Sequence, residues 1–181
     1  MTENTDANLV AAAQKGDAES FSRVCEQYYR PLVAVAYAQL ADRDMAEDAA
    51  QEALLAAYRG ITRLKKPDRF AGWLTSICRN IATDMVRARA RQKHAESADC
   101  GPVRSASRRE SDTVAVVREL ISRLEPGMKE VVYLRYYSRM SYARIAQALG
   151  ISEEAVNGRL RRARNKIRRQ LPRRISTEIN P

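Results

Sequence analysis

The residues best suited to specific chemistry lie near the C-terminus, where cationic side chains recur at helical spacing between Glu154 and Arg169. Nearly all of them are arginines, whose planar guanidinium groups donate paired hydrogen bonds to guanine edges and phosphate oxygens. Asn157 lies among them and can bind adenine through two hydrogen bonds. This combination indicates contact with a duplex nucleic acid along one helix face. The predicted contact residues are Ser141, Arg144, Glu154, Asn157, Gly158, Arg159, Arg161, Arg162 and Arg164.

These side chains must be positioned by two helices joined by a tight turn, in the segment 141–171. Ser141 and Ser152 are placed to cap the two helices, and Gly150 stands where a left-handed residue ends the first. The second helix carries an apolar stripe of Val156, Leu160, Ala163, Ile167 and Leu171. The pattern predicts a helix-turn-helix whose second helix enters the major groove. The alternative is a helical hairpin within a bundle, with a solvated basic face.

The charge of the chain is distributed unevenly. Its 181 residues have a net charge of +10 and a sequence pI of about 9.9, which indicates a polyanionic partner. Residues 1–60 have a net charge of −5, residues 61–117 of +6 and residues 118–181 of +9. An acidic start followed by two basic segments implies at least two partner surfaces. No apolar run suits a membrane span and the start lacks a signal peptide's pattern, so we expect a cytoplasmic protein without membrane insertion.

Cysteine and histidine usage gives no indication of a metal site or a disulfide framework. The three cysteines have no CxxC spacing, so we expect neither a disulfide framework nor a zinc site. Cys25 and Cys78 fall on apolar helix faces and are predicted to lie in the core. Cys100 and the single histidine, His94, fall in a polar segment, and a redox role for Cys100 is a hypothesis that the sequence leaves open.

Helical periodicity recurs along the chain, whereas no convincing strand and no internal repeat is found, so the predicted fold class is all-α. Pro31 marks a position where a helix can start. Small and polar residues replace the periodicity in 92–112, which indicates a flexible linker. The chain therefore divides into a helical domain of residues 1–91, this linker, and a helical domain of residues 113–181. Before the final motif, the predicted helices cover about residues 7–15, 18–28, 31–40, 45–61, 70–91, 113–124 and 128–137.

An acidic stripe runs along the third predicted helix, at positions i, i+3, i+4 and i+7. It lies opposite an alanine-rich face and places one aliphatic residue outward among polar ones, which is typical of a protein interface. The alternative is a solvated face with a single exposed leucine. The stripe consists of Asp48, Gln51, Glu52 and Leu55.

A basic loop at 62–69 and the polar face of the following helix form a second group. Cations beside an amide suit a base that is turned out of its stack, because the base edge needs a donor and an acceptor while its backbone needs positive charge. Trp73 is predicted to be a core residue rather than a stacking platform. The group consists of Leu64, Lys65, Lys66, Arg69, Arg79, Asn80 and Arg87.

Two runs in the N-terminal half, DMAEDAAQEALLAAY and RFAGWLTSICRNIATDMVRARARQ, closely resemble the region-2 domain of bacterial extracytoplasmic-function sigma factors of the sigma-70 family. The run LISRLEPGMKEVVYLRYYSRMSYARIAQALGISEEAVNGRLRRARNKI resembles their region-4 domain. The resemblance covers about residues 15–92 and 115–170. It implies two helical domains and a dissociable subunit of RNA polymerase that directs promoter-specific initiation, is not an enzyme and needs no cofactor.

The resemblance also implies a role for each surface. Asp48, Gln51 and Glu52 match the motif that docks on the clamp helices of the β′ subunit, and the β flap is a second expected polymerase contact. The basic loop and the next helix face correspond to the site that recognises and melts the −10 element, and the helix-turn-helix to the reader of the −35 element. An anti-sigma factor is a further expected partner.

Some positions depart from the family pattern. The loop has Leu64 and no aromatic residue before Phe70, so we expect aliphatic contact to replace base stacking there. The family often has Lys or Arg at the position of Asn157, Ser at Gly158 and an acidic residue at Arg144. These departures affect the promoter sequence expected, not the class of protein.

Two rival interpretations remain open at this point. A stand-alone helix-turn-helix repressor or activator would explain the C-terminal domain but not the acidic helix. A helical adaptor whose basic helix binds an acidic protein would not use DNA at all. The salt dependence of DNA binding separates this adaptor from the other two interpretations, since phosphate contacts make affinity fall steeply with salt.

Overall fold

A computed structural model of the chain describes residues 3–96 and 112–171, with side chains over 6–92 and 114–171. Within these ranges the fold is all-α, as predicted. Two 3-10 turns, Ile61–Arg63 and Pro67–Arg69, join the third helix to the fourth, and a π-helical turn, Tyr133–Tyr137, follows the sixth. The α-helices are α1 (Glu3–Gln14), α2 (Ala18–Leu40), α3 (Arg43–Gly60), α4 (Phe70–Glu96), α5 (Asp112–Ser122), α6 (Pro126–Val132), α7 (Tyr142–Leu149) and α8 (Glu153–Gln170).

The alanine-rich face of α3 lies at the centre of the N-terminal core. Its small side chains let α2 and α4 pack closely on either side, and larger residues fill the space between them. Phe70 is buried and meets Tyr28 edge to face, with ring centroids 5.6 Å apart. The fully buried alanines of α3 are Ala46, Ala49, Ala50, Ala53 and Ala57.

α2 continues through Pro31, so the prediction of a helix start at that residue is wrong. A proline inside a helix removes one backbone hydrogen bond. Tyr28 and Leu32 flank Pro31 and are both buried, and their packing holds the helix through this position. The helix instead begins after Asp17, whose carboxylate accepts hydrogen bonds from the amides of Glu19 at 3.0 Å and Ser20 at 3.3 Å.

α4 extends to Glu96, about five residues beyond the predicted end at Arg91. The residues after position 87 are mostly alanine, arginine, glutamine and lysine, which favour helix, and no glycine or proline interrupts them. The remainder of the predicted linker, with Cys100, lies outside the described residues, as does the side chain of His94.

The C-terminal helices share their core with α2. Ala34 and Val35 are buried among the residues of α6, α7 and α8, and Tyr37 meets Tyr133 edge to face at 5.1 Å. The C-terminal helices therefore rest on the outer side of α2, opposite the side that packs on α3. The largest fully buried side chains of this second core are Leu134, Ile145 and Leu160.

The predictions that Trp73 and Cys78 are core residues agree with the structure, whereas Cys25 does not belong to the core cluster. Trp73 is half-buried against the N-terminal core, and Cys78 is fully buried with its thiol 3.5 Å from the carbonyl oxygen of Leu32. Cys25 is half-buried. Burial raises the pKa of both thiols, which keeps them protonated and unreactive at neutral pH.

Candidate nucleic-acid interface

The helix-turn-helix has the capping geometry that its sequence predicts. The hydroxyl oxygen of Ser141 accepts a hydrogen bond from the amide of Arg144 at 3.3 Å, and that of Ser152 accepts from the amide of Ala155 at 3.2 Å. Gly150 has a left-handed backbone, with φ of 66° and ψ of 35°. These short-range contacts fix the angle between α7 and α8, and with it the direction in which α8 points.

α8 separates a buried face from a cationic one. Val156, Leu160 and Ala163 are fully buried, as predicted. On the other side the side chains extend into solvent over two turns, which is the arrangement a groove-binding helix needs. Glu154 lies at the start of this face, and its pKa is lowered by a backbone amide at the helix start and by the Ser152 hydroxyl. The exposed predicted residues here are Glu154, Asn157, Arg161, Arg162 and Arg164.

Two of the predicted arginines lie elsewhere. The guanidinium of Arg159 packs over Gly127 at the start of α6. Its Nη1 atom would lie only 3.3 Å from a β-carbon added at Gly127. Arg144 is half-buried, with Nη2 3.5 Å from a carboxylate oxygen of Asp6 in α1. The exposed cationic surface of the helix-turn-helix therefore contains fewer of the predicted arginines than the sequence suggests.

The basic loop presents four exposed cations, Arg63 and the predicted contact residues Lys65, Lys66 and Arg69. Leu64, which belongs to the same predicted group, is half-buried and packs against the N-terminal core. Its carbonyl oxygen accepts a hydrogen bond from the Gln14 side chain of α1 at 2.7 Å. The sequence gives no sign of this contact, because the two residues are 50 positions apart.

The polar face of α4 is only partly available. Asn80 and Arg87 are exposed, and Arg87 pairs with Asp84 at 3.3 Å. Arg79 instead makes two hydrogen bonds, of 2.8 and 2.9 Å, to the carboxylate of Glu130 in α6. Glu130 is buried in α6 and Arg79 belongs to α4, so this pair lies in the contact between the N-terminal and C-terminal helices.

The acidic stripe of α3 is open to solvent. Asp48, Gln51 and Glu52 are exposed, and 57% of Leu55 is accessible. Tyr58, one turn further on, is 59% accessible and its ring lies 5.0 Å from that of Phe21. Its position three residues after Leu55 is the signal that could have included it in the predicted stripe.

Among the residues that the structure describes, no group of three His, Cys, Asp or Glu side chains could hold a metal ion. The described helices also include none long and apolar enough to cross a bilayer.

Comparison with known proteins matches both halves of the chain. Residues 24–92 match the family model for sigma-70 region 2, and residues 115–167 match that for sigma-70 region 4. The first match contains α3, the basic loop and nearly all of α4, and the second contains the helix-turn-helix. The two matches thus contain the surfaces described above, in the expected order.

Individual relatives agree with these matches. The ECF RNA polymerase sigma factor SigM of Mycobacterium tuberculosis is 30% identical over 169 residues, covering 93% of this chain and 86% of its own. The probable RNA polymerase sigma factor RfaY of Xanthomonas campestris is 32% identical over 176 residues, covering 91% of this chain. The chain spans only 44% of the length of RfaY.

A solved structure shows the same arrangement of helices. CnrH, in complex with the cytosolic domain of CnrY, superposes with a TM-score of 0.61 at 27% identity, over 90% of this chain and 94% of the other. With the matches to both regions and the similarity to SigM, this establishes that the chain belongs to the extracytoplasmic-function sigma factors of the sigma-70 family.

Proposed function

We propose that the chain is an alternative sigma factor that binds core RNA polymerase, recognises the −35 and −10 elements of its promoters and assists melting at −10. The observation that carries this proposal is the presence of both family regions on one chain, each with an exposed cationic surface, together with the open acidic face of α3. Its family consists of transcription initiation factors, so the chain is not an enzyme, and we expect it to act in the cytoplasm with the polymerase.

The polymerase contact is proposed for the acidic face of α3. Asp48, Gln51, Glu52 and Leu55 are exposed side by side, and an accessible leucine ringed by acidic and amide groups suits a partner with a basic rim and an apolar centre. The clamp helices of β′ are the proposed partner of this face. The β flap is the proposed partner of the C-terminal domain, on the family resemblance alone.

The −10 contact is proposed for the loop and α4. Lys65, Lys66 and Arg69 are exposed and can bind the phosphate backbone, while Asn80 presents an amide that can pair with a base edge. Leu64 would contact DNA only through its accessible side, since the rest of it packs on the core. Arg79 would join this surface only after leaving Glu130.

The −35 contact is proposed for the start of α8. Asn157 in the second turn of α8 and Arg161 in the third are exposed near the end of the helix with which a recognition helix contacts base edges. Arg162 and Arg164 extend the cationic surface toward the phosphates. Gly158 has no side chain, so the backbone of α8 can approach the DNA closely there. Ser141 and Arg144 lie on the first helix of the motif, which crosses the DNA backbone in this class. Arg159, which packs over α6, is the remaining residue proposed for the −35 contact.

Binding both elements requires the two domains to separate. The −10 and −35 elements lie roughly 25 base pairs apart, about 85 Å along B-form DNA at about 3.4 Å per base pair. In the structure α4 and α6 are joined by hydrogen bonds of 2.8 and 2.9 Å. The proposed boundaries, 1–91, 92–112 and 113–181, place a linker where this separation would occur. A closed arrangement also suits capture by an anti-sigma factor, the further partner that we propose.

Transcription in vitro tests the proposal. The start sites that appear on overexpression of the chain supply promoter fragments, and purified core polymerase is added with and without the chain. We expect specific transcripts only when both proteins are present. Tight binding of these duplexes by the chain alone, with no specific initiation, would favour the stand-alone repressor or activator instead.

A further inference from the structure

Gln14, the last residue of α1, contacts the basic loop through its side-chain amide. Its Nε2 atom lies 2.9 Å from the carbonyl oxygen of Ile61 and 2.7 Å from that of Leu64. Carbonyl oxygens only accept hydrogen bonds, so the contacting group must be the amide NH₂, and both of its N–H bonds are used. One side chain therefore binds both ends of the 3-10 turn that begins at Ile61 and is capped by Leu64.

The bridge from Gln14 lies next to the lysines of the loop that are proposed to bind DNA. Backbone hydrogen bonds at the two ends of the loop join Leu64 to Ile61 at 3.1 Å and Arg69 to Lys66 at 3.0 Å. The stretch between these bonds contains Lys65, which is exposed like Lys66. The bond from Gln14 to the Leu64 carbonyl fixes the backbone immediately before these two lysines.

α1 is a firm base for such a contact. Val10 and Ala13, on the inner side of the helix, are buried in the N-terminal core. Asp6, two turns earlier, accepts hydrogen bonds from Gln27 at 2.7 Å and Tyr28 at 3.0 Å. The helix is thus bonded to α2 near its start and buried in the core near its end, and the amide of Gln14 links this fixed helix to the loop.

We infer that Gln14 is a positioning residue for recognition of the −10 element: it sets the path of the loop at Leu64 and thereby the place from which Lys65 and Lys66 reach DNA. This role rests on the proposed function. Gln14 touches no DNA in this assignment and acts only through the loop backbone.

Two substitutions of Gln14 separate the effect of its hydrogen bonds from the effect of its side-chain size. Gln14→Met keeps the length and the helix propensity but has no donor, whereas Gln14→Lys restores donors on a chain of similar reach. Gln27→Met is the matched control, because it removes another glutamine hydrogen bond to α1 that does not reach the loop. Each full-length variant is combined with core polymerase on a mapped promoter whose −10 bases have been randomised, and the transcripts are sequenced.

We expect Gln14→Met to reduce the preference for the favoured −10 sequence about tenfold, the scale of two neutral hydrogen bonds. Core affinity and −35 preference should stay unchanged, Gln14→Lys should recover most of the preference, and Gln27→Met should behave as wild type. Hydrogen exchange of the free chain should quicken at Lys65 and Lys66 in Gln14→Met alone. This readout needs no polymerase.

Two results would overturn the role of Gln14 and leave the proposed function standing. One is a wild-type −10 preference in Gln14→Met, and the other is a loss of −10 preference in Gln27→Met as large as that in Gln14→Met. If the wild-type chain gives no promoter-specific transcripts, the proposed function falls and this role falls with it. Should Gln14→Met fail to fold, Gln14→Glu serves in its place, since a carboxylate of the same size can only accept.

Discussion

Arg79 of α4 and Glu130 of α6 form a two-pronged ion pair across the contact between the N-terminal and C-terminal helices, with N–O distances of 2.8 and 2.9 Å. The Glu130 side chain is 7% exposed and that of Arg79 is 30% exposed. A residue expected on DNA is thus the partner of a buried carboxylate in the closed arrangement. The pair makes the availability of Arg79 depend on the relative position of the two domains.

Removing Arg79 should destabilise the chain strongly. Arg79→Met leaves the Glu130 carboxylate buried without its cation, and we expect the free energy of unfolding to fall by about 3 kcal/mol. Arg123→Met is the control, because Arg123 pairs with Glu119 on an exposed face at 64% and 61% exposure. That variant should lose less than about 1 kcal/mol. Urea unfolding measures both, and equal losses would show that the Glu130 pair is no stronger than a surface pair.

The acidic face of α3 gives a second prediction. Leu55→Ala should weaken binding to core polymerase about tenfold while leaving the thermal midpoint unchanged, because 57% of Leu55 is accessible and little packing is lost. Glu47→Ala on the same helix is the control, since Glu47 is already paired with Arg43 at 2.9 Å. Fluorescence anisotropy with labelled chain gives the affinities. A Glu47→Ala loss as large as that of Leu55→Ala would argue against a localised contact.

The buried thiol of Cys78 should make the free energy of unfolding depend on pH in the alkaline range. Burial is the main reason that its pKa is raised from 9.0 to about 12. As pH rises above 9, the unfolded chain ionises this thiol while the folded chain does not, so the unfolded state loses protons first and stability falls. The stability advantage of wild type over Cys78→Ala should therefore shrink by about 1 kcal/mol between pH 8 and pH 10. Urea unfolding at both pH values checks this, and a constant difference would contradict it.

The features that the sequence predicts correctly depend on neighbours close along the chain. Ser141, Gly150 and Ser152 are capping residues whose partners lie within a few positions, so the geometry of the helix-turn-helix follows from local rules. The alanine face of α3 follows from helical spacing in the same way. Pro31 misleads because the burial of its neighbours, a tertiary effect, outweighs the local preference of proline for a helix start.

The features that escape prediction join distant segments. Arg79 and Glu130 are 51 positions apart and Arg144 meets Asp6 of α1, so no spacing rule reveals that two predicted DNA residues have protein partners. Gln14 meets the loop across about as many positions. The sequence identifies which residue types could contact DNA, whereas tertiary packing decides which of them are exposed.

Two glycines of the helix-turn-helix should respond to alanine in opposite directions. Gly150 has φ of 66°, and an added β-carbon would meet nothing within 4 Å, so Gly150→Ala should cost about 1 kcal/mol through backbone strain alone. Gly158 lies inside α8 with equal space around it, so Gly158→Ala should raise stability by about 0.5–1 kcal/mol. Its added methyl group would nonetheless project from the proposed −35 face. We therefore expect Gly158→Ala to raise the thermal midpoint yet weaken transcription from −35-dependent promoters several-fold. A higher midpoint with unchanged promoter use would show that the backbone at Gly158 does not approach DNA closely.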